Sequence, residues 1–218
     1  MGLSEKVGEV LGARIEARLE EDVRKLTLPQ HVAFIMDGNR RFAWSMAMNT
    51  QTGHRKGKQV LKNVMDWVLE LGIEYMTVYA LSTENLSSRT EKELRGLYDL
   101  YVEGLNEIAE DSKIHENGVK VQIIGHRELL PKRVIDAIEN AEKVTEGYDD
   151  FTFTVCLAYG GREEIVRAIR QLAKDHADGN LALEDIDETA VSKRLWTSHM
   201  PDPDLVIRTS GEERISNF

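Results

Sequence analysis

The sequence predicts a single α/β domain in which helices flank a mostly parallel sheet. Short apolar segments with the length and residue types of buried strands recur along the chain. Amphipathic segments with the helical period alternate with these strands, which is the order typical of parallel sheets. The chain has 218 residues, of which 41% are hydrophobic, enough for one domain with a substantial core.

The predicted elements follow one another from the first residues to the end of the chain. Strands are expected at residues 32–36, 74–81, 119–125, 151–158 and 204–207, and helices at 54–71, 90–115, 129–145 and after residue 161. Thr90 and Glu93 have the spacing of a capping box, which predicts the start of the long helix between the second and third strands. Residues 43–51 lack a clean period, and we expect a mobile segment there.

The first 28 residues carry apolar positions at helical spacing among many charges, which predicts an amphipathic helix ahead of the first strand. Such a helix can dock on the domain, contact a partner or lie on a membrane surface. Its polar face mixes acidic and basic residues, which favours docking over membrane binding. We expect residues 1–218 to form one domain with this helix at its start.

Composition excludes several classes of protein. The formal charge of −10 and the absence of a Lys/Arg-rich run argue against nucleic-acid binding. Cys156 is the only cysteine and lies in an apolar segment, so we expect a buried thiol and no intrachain disulfide. No leader or membrane-spanning segment is apparent, and we expect a cytoplasmic protein, soluble or peripheral at a membrane.

The end of the first predicted strand carries the strongest functional signal. Asp37 follows an apolar run and is succeeded by Gly38, Asn39 and the adjacent pair Arg40 and Arg41. Ligands bind at the carboxyl ends of strands in open α/β sheets, so this turn places an acid for a metal beside cations for an anion. An ordinary strand-to-helix turn with a capping Asp is the alternative.

Other strand ends bring more polar residues to the same edge. The second strand ends in Ser82-Thr83-Glu84-Asn85, and the last strand leads to Arg208, Arg214 and Ser216. Two arginines and a hydroxyl suit a diphosphate, and one carboxylate suits Mg²⁺ that is shared with substrate phosphates. Gly160-Gly161-Arg162 is either a further phosphate cradle or a tight connection, and no nucleotide-binding glycine motif accompanies it.

Several separated motifs, taken in order, carry a family resemblance. They are His31 to Ala43, Gly53-His54-Arg55-Lys56-Gly57, Ala80 to Asn85, and Asp204 to Phe218. Together they resemble the cis-prenyltransferase family, which includes the undecaprenyl and dehydrodolichyl diphosphate synthases. The pair Arg40-Arg41 is similar to the archaeal and eukaryotic branch.

The resemblance implies condensation of isopentenyl diphosphate with an allylic primer, farnesyl or geranylgeranyl diphosphate, to give a polyprenyl diphosphate for a glycosyl carrier lipid. It implies Mg²⁺ on Asp37 and an apolar tunnel between the sheet and two helices. A homodimer and peripheral contact with the membrane for product release are also implied. Substrate-binding positions carried over from the family are Gly38, Asn39, Arg40, Arg41, Phe42, His54, Ser82, Thr83, Glu84, Arg208, Arg214 and Ser216.

Within this set, the allylic diphosphate is expected against residues 38–41 and His54, and isopentenyl diphosphate against Arg208, Arg214 and Ser216. Asn85, with His54 and Ser82 nearby, is expected to assist proton loss. Because an amide is a poor base, an orienting role with a diphosphate oxygen as acceptor is the easier chemistry. By residue type alone, a lone histidine at the start of a helix, such as His54, is more often structural than functional.

The chain also departs from the family pattern. Thr50 stands where an arginine is common, Leu86 replaces an aromatic residue, and an arginine appears one position late as Arg89. These changes leave open an atypical acceptor or mode of condensation. The resemblance also implies a further strand and helix, with an acidic metal ligand, beyond Phe218.

Two other functions are weighed against this one. A noncatalytic subunit of a heteromeric prenyltransferase is disfavoured because such subunits typically lose the acid that is Asp37 here. A trans-prenyltransferase is excluded because Asp149-Asp150-Phe151 lacks the second acid of a D-D-x-x-D motif.

Overall fold

A parallel sheet forms the centre of the fold. The structure, a computed structural model, describes residues 18, 19 and 21–218. The strands are β1 (His31–Ile35), β2 (Tyr75–Ser82), β3 (Val119–Ile124), β4 (Phe151–Tyr159) and β5 (Leu205–Arg208). Their order in the sheet is β3-β4-β2-β1-β5, and every neighbouring pair is parallel. The predicted α/β class and parallel sheet are therefore confirmed.

Helices connect these strands. They are α1 (Asn39–Ser45), α2 (Thr50–Glu70), α3 (Thr83–Ser88), α4 (Glu91–Glu110), α5 (Ser112–Glu116), α6 (Lys132–Val144), α7 (Gly161–Ala177) and α8 (Glu188–Ser192), with short 3₁₀ turns at Arg127–Leu129, Leu183–Asp185 and Thr209–Gly211. Helical backbone at residues 18, 19 and 21–23 is the described part of the predicted N-terminal helix. The rest of that prediction falls on residues 1–17 and 20, outside the described residues.

The start of α2 differs from the prediction for a physical reason. Irregular backbone is confined to residues 46–49, because α1 packs on α2 and the Asn49 side chain caps α2 by accepting a hydrogen bond from Thr52 N at 2.8 Å. Glycines permit the close packing: a Cβ on Gly53 would lie 2.3 Å from the carbonyl oxygen of Asn39, and one on Gly57 would lie 2.6 Å from the Asn39 side chain.

The predicted long helix from Thr90 begins as expected and ends early. Thr90 and Glu93 form the capping box. The helix stops at Glu110 instead of running to residue 115, because the Asp111 side chain accepts a hydrogen bond from Lys113 N at 3.0 Å and starts the separate helix α5. Short polar side chains compete with helical hydrogen bonding in this way.

The main hydrophobic core lies on one face of the sheet. It joins alternate residues of the strands, such as Phe34 and Phe153, to α2, α4 and α6. A smaller cluster on the opposite face includes Cys156, which is buried and unpaired as predicted. Within the described ranges, no helix is both long enough and apolar enough to cross a membrane.

Candidate active site

The carboxyl ends of three adjacent strands meet at one point of the sheet edge. In the register of the sheet, Ile35 of β1 lies between Tyr79 of β2 and Arg208 of β5. The chain after β1 therefore brings Asp37 beside Arg208, although 171 positions separate them in the sequence. The predicted meeting of strand ends places the acid and the distal cations in one site.

Asp37 is the centre of a hydrogen-bonded cluster. Its Oδ2 accepts hydrogen bonds from Arg208 Nη2 at 2.7 Å and Arg41 Nη2 at 3.1 Å, and its Oδ1 accepts one from Gly38 N at 2.6 Å. Burial raises the pKa of Asp37, but the hydrogen bonds from Arg208 and Gly38 outweigh this, and the net pKa is lowered. Asp37 is therefore an ionised carboxylate at neutral pH.

The turn that presents Asp37 requires glycine. Gly38 has a φ of +89°, and a Cβ at this position would lie 2.6 Å from the Cβ of Ser210. Thr209 Oγ1 donates a hydrogen bond to the Asp37 carbonyl at 2.5 Å, so the segment after β5 packs directly on the turn after β1. The sequence motif thus encodes a close approach of two loops.

The segment after β5 supplies one group of cations. Arg208 Nη1 donates a hydrogen bond to Ser216 Oγ at 2.9 Å and another to the carbonyl of Arg214. Glu212 pairs with Arg41 at 2.9 Å and with Arg214 at 3.4 Å. Arg208, Arg214 and Ser216 all line the same cavity; their binding of a diphosphate, for which guanidinium and hydroxyl donors are suited, stays a prediction.

The cavity also holds a second group of basic residues. His54, Arg40 and Arg89 line it. Among the described residues, no hydrogen-bond partner reaches the buried atoms His54 Nε2, Arg89 Nε or Arg89 Nη1. Burial, with Arg89 and Arg40 nearby, lowers the pKa of His54 to about 4, and burial with Arg40 nearby lowers that of Arg89. Buried donors without partners are costly and fit a site that receives an anion.

Arg89 is the site residue that the sequence analysis left out of its set. α3 ends at Ser88, and Arg89 follows in an extended conformation that carries its side chain into the cavity. The sequence signal was an arginine displaced by one position, and only the end of a short helix shows where that side chain points. Thr50, where the family commonly has an arginine, does not line the cavity.

Only some residues of the segment after β2 line the cavity. Ser82, Glu84 and Asn85 line the cavity, and Ser82 Oγ accepts a hydrogen bond from Asn85 N at 3.0 Å, which caps α3. Thr83 instead donates to Glu163 Oε1 at 3.1 Å and does not line the cavity. Phe42 also lies outside the lining and is 46% exposed. Substrate contact by Thr83 and Phe42 stays a prediction.

Below the polar mouth, the cavity becomes an apolar chamber. The chamber shares a total cavity volume of about 620 Å³ with the mouth. Its walls are the sheet, α2 and α4, and the apolar side chains that line it include Leu61, Met65, Val78, Leu97, Leu100, Tyr101, Leu105, Ile108, Phe153 and Leu157. A charged mouth joined to an apolar chamber suits a molecule with an anionic head and a long hydrocarbon tail.

The acids at this mouth fit a metal shared with a ligand. In the described part of the chain, no group of three or more His, Cys, Asp and Glu side chains could hold a metal ion alone. Mg²⁺ typically uses one or two protein carboxylates and completes its shell with phosphate oxygens and water. Asp37, beside donors suited to phosphate, matches that donor set.

Comparison with known proteins agrees with the geometry. The family described as "Putative undecaprenyl diphosphate synthase" matches residues 35–218. A curated relative from Pyrococcus abyssi, tritrans,polycis-undecaprenyl-diphosphate synthase (geranylgeranyl-diphosphate specific), is 48% identical over 203 residues, covering 93% of this chain and 76% of the relative.

Two solved structures resemble the fold. Lavandulyl diphosphate synthase from Lavandula x intermedia, in complex with dimethylallyl diphosphate, has a TM-score of 0.83 and 36% identity over 87% of this chain and 81% of that chain. A probable undecaprenyl diphosphate synthase from Campylobacter jejuni has a TM-score of 0.69 and 27% identity over 88% of this chain and 80% of that chain. The chain therefore belongs to the undecaprenyl diphosphate synthase family of prenyltransferases.

Proposed function

We propose that this protein condenses isopentenyl diphosphate with geranylgeranyl diphosphate and releases a polyprenyl diphosphate. The observation that carries the proposal is the continuity of the cation-rich mouth with the apolar chamber in one cavity of about 620 Å³. The name of the relative from Pyrococcus abyssi supports the choice of primer over farnesyl diphosphate. A chamber of this size also favours a long allylic chain over dimethylallyl diphosphate, the ligand of the lavender enzyme.

Each substrate has its own group of cations. The non-allylic diphosphate is assigned to Arg208, Arg214 and Ser216, which line the cavity together with Asp37 and of which Arg208 bonds Ser216 and Asp37. The allylic diphosphate is assigned to residues 38–41 and His54, and Arg89 adds a guanidinium group that the sequence did not place there. Bidentate guanidinium donors suit phosphate oxygens, and the allylic chain then extends into the chamber.

Asp37 is the assigned ligand for Mg²⁺. When bound, the metal offsets negative charge on the departing diphosphate. Arg41 and Arg208 hold the carboxylate in place through hydrogen bonds of 3.1 and 2.7 Å to Oδ2. Because a guanidinium group carries several N–H donors, each of these arginines can bond phosphate oxygens as well as the carboxylate.

Loss of a proton from a carbon of the isopentenyl unit, whose C–H electrons form the new double bond, completes the reaction. Asn85 and Ser82 line the cavity on the side of β2, where they can orient the isopentenyl group. The neutral imidazole expected from the lowered pKa of His54 lies in the same cavity. Asn85 is assigned an orienting role, with a diphosphate oxygen accepting the proton.

The proposed setting is a cytoplasmic homodimer that contacts the membrane surface to release its apolar product. Support for a dimer comes from α7, where Ile165, Val166 and Ile169 are 49%, 44% and 52% exposed. Adjacent exposed aliphatic side chains are typical of contact surfaces. Light scattering coupled to gel filtration tests this part of the proposal, and a monomer at working concentration contradicts it.

The catalytic proposal is tested by incubating the protein with labelled isopentenyl diphosphate and primers of different lengths. We expect polyprenyl products with Mg²⁺ and none after chelation with EDTA, with geranylgeranyl diphosphate as the preferred primer. Binding of substrates without turnover, with or without Mg²⁺, indicates a noncatalytic subunit instead. A branched short product from dimethylallyl diphosphate alone indicates a lavandulyl-type reaction.

A further inference from the structure

Glu163 joins two segments of the candidate active site that are distant in the sequence. Its Oε1 accepts a hydrogen bond from Thr83 Oγ1 at 3.1 Å, and its Oε2 accepts one from Asn217 Nδ2 at 2.9 Å. Glu163 itself lies in the first turn of α7 and does not line the cavity. Each of its partners directly follows a residue that does: Thr83 follows Ser82, and Asn217 follows Ser216.

Backbone donors at the start of α7 bind the same asparagine. Gly161 N donates to the Asn217 carbonyl at 2.8 Å, and Arg162 N donates to Asn217 Oδ1 at 3.1 Å. Of the two interpretations of this glycine motif, a phosphate cradle or a tight connection, the contacts to Asn217 support the connection. A Cβ on Gly160 would lie 2.1 Å from Glu163 Oε2 and 2.6 Å from Asn217 Nδ2, so this glycine makes room for the pair.

The anchoring of Asn217 fixes the serine before it. Ser216 has a φ of +57°, in the left-handed region that residues other than glycine rarely adopt. Such a conformation persists where neighbouring contacts hold it. Here they come from Asn217 and from Phe218, whose ring centroid lies 5.1 Å from that of Tyr79. The hydroxyl of Ser216 that receives the hydrogen bond from Arg208 at 2.9 Å is thereby placed.

The other bond of Glu163 acts on the start of α3. Thr83 is the first residue of that helix, and the Ser82 side chain caps it by accepting a hydrogen bond from Asn85 N at 3.0 Å. Holding Thr83 therefore fixes the turn that presents Ser82 and Asn85 to the cavity.

The state of Glu163 suits this double contact. The hydrogen bond from Asn217 is the main cause that lowers the pKa of Glu163, and it outweighs the effect of partial burial. The side chain is therefore a carboxylate at neutral pH, with an acceptor oxygen for each of the two donors.

We propose that Glu163 is a positioning residue that fixes the diphosphate-binding segment after β5 relative to the orienting residues after β2. Through Asn217 it places Ser216 for the diphosphate of isopentenyl diphosphate, and through Thr83 it places Asn85 for the hydrocarbon part of the same substrate. The inference rests on the proposed prenyl transfer and adds a residue that touches no substrate.

The variant Glu163→Ala removes both contacts. We expect kcat to fall and the KM for isopentenyl diphosphate to rise, each by about tenfold, the scale of lost hydrogen bonds to a charged group. The KM for the allylic substrate should not change, because its assigned residues His54 and Arg89 lie on other elements. A general loss of structure would affect both substrates alike.

Glu163→Gln is the conservative variant that should restore activity. Its amide oxygen accepts from Asn217, and its amide nitrogen donates to the Thr83 hydroxyl, which can also accept. We expect kinetic constants within about twofold of wild type, since both contacts are kept without the charge. A loss in Glu163→Gln as large as that in Glu163→Ala contradicts a positioning role through hydrogen bonds.

Variants of the two partners separate the two effects. Thr83→Val, which keeps the shape of the side chain, should lower kcat, and Asn217→Ala should raise the KM for isopentenyl diphosphate. Residues that act through one contact show non-additive effects. Adding Thr83→Val to Glu163→Ala should therefore cause no further loss of kcat, and a fully additive loss contradicts the inference. Because Glu163→Gln and Thr83→Val conserve side-chain volume, they test it even if Glu163→Ala does not fold.

The matched control is Glu91→Ala, which removes an exposed carboxylate from the first turn of α4. Both glutamates interact favourably with the dipole of their helix, but Glu91 does not line the cavity. This control should leave both KM values and kcat unchanged. A loss equal to that of Glu163→Ala would mean that helix stability alone explains the effect, and would contradict the inference.

Equilibrium binding keeps this test separate from the proposed function. Isopentyl diphosphate, which lacks the reactive double bond, and geranylgeranyl thiolodiphosphate are each titrated into the proteins by calorimetry without turnover. Glu163→Ala should weaken the binding of the first ligand and not that of the second. Wild-type protein that transfers no prenyl group overturns the proposed function, whereas intact transfer in the wild type with unchanged kinetics and binding in Glu163→Ala overturns the inference alone.

Discussion

Replacement of Asp37 by Asn separates the role of the carboxylate in turnover from its role in substrate binding. The amide keeps the shape of the side chain and its acceptor for Gly38 N, but removes the charge that faces Arg208. We expect kcat to fall by about 10²–10³, or about 2.7–4 kcal/mol, the scale for one electrostatic contact to a developing charge.

The effect on KM follows from what remains of the cluster. Arg208 is still positioned by Ser216 Oγ at 2.9 Å and by the carbonyl of Arg214. The mouth also loses one negative charge. We therefore expect the KM for isopentenyl diphosphate to stay the same or decrease, so the loss appears in kcat.

Steady-state kinetics with geranylgeranyl diphosphate and Mg²⁺ provide the assay. The matched control is Glu212→Gln, which removes a carboxylate that pairs with Arg41 and Arg214 but does not line the cavity. This variant should keep kcat within about tenfold of wild type. A kcat for Asp37→Asn within the same limit, about 1.4 kcal/mol, refutes the assignment of Asp37 to the leaving group.

Three further predictions concern the cations of the mouth. Arg214→Ala should raise the KM for isopentenyl diphosphate by the factor that corresponds to about 1.5–3 kcal/mol of lost binding free energy, the scale of a charge-assisted contact. A change confined to the KM of the allylic substrate would reverse the assignments of the two diphosphate sites. Thr50→Arg places a guanidinium group four residues before His54 on one side of α2, and should tighten the binding of an unreactive allylic analogue by about 1–3 kcal/mol with Mg²⁺ present. Arg89→Met should weaken the binding of the same analogue. If the Kd measured by calorimetry does not change in one of these variants, the segment that carries that substitution is not part of the allylic site. The pKa of His54 is lowered from 6.5 to about 4, so as the pH falls the histidine binds a proton in the unfolded chain before it does so in the folded protein, and stability is lost through this pH window. In urea unfolding, His54→Gln should therefore lose less stability between pH 7 and pH 5 than the wild-type protein. An equal loss in the two proteins contradicts a buried neutral imidazole.

Much of the fold follows from local signals in the sequence. The apolar run before Asp37 predicts β1 because its length and residue types are those of a buried strand. Thr90 and Glu93 predict the start of α4 because a capping box is local to four residues. These elements depend on contacts within a few positions of the chain.

The elements that sequence reasoning missed depend on contacts between distant residues. α1 packs where Gly53 and Gly57 leave room for Asn39, and this fit appears only when the two helices are placed together. The orientation of Arg89 depends on where α3 ends. The pairing of Lys58 with Glu103 and Glu107 requires the register of two helices that no local pattern sets.

The sequence predicts in outline that the site residues lie together, because parallel strands present their carboxyl ends at one edge of the sheet. The placement of Asp37 beside Arg208 follows from this rule and from the order of β1 and β5 in the sheet. The division between Ser82, which lines the cavity, and Thr83, which bonds Glu163, was not predictable because it depends on α7.

The most direct test of the central claim is the structure of the product made from geranylgeranyl diphosphate and isotopically labelled isopentenyl diphosphate with Mg²⁺. Mass spectrometry gives the chain length, and NMR gives the geometry of each new double bond. We predict a linear polyprenyl diphosphate in which the added units are cis and the units of the primer remain trans. A product whose added units are trans or branched, or the absence of any product longer than the primer, contradicts it.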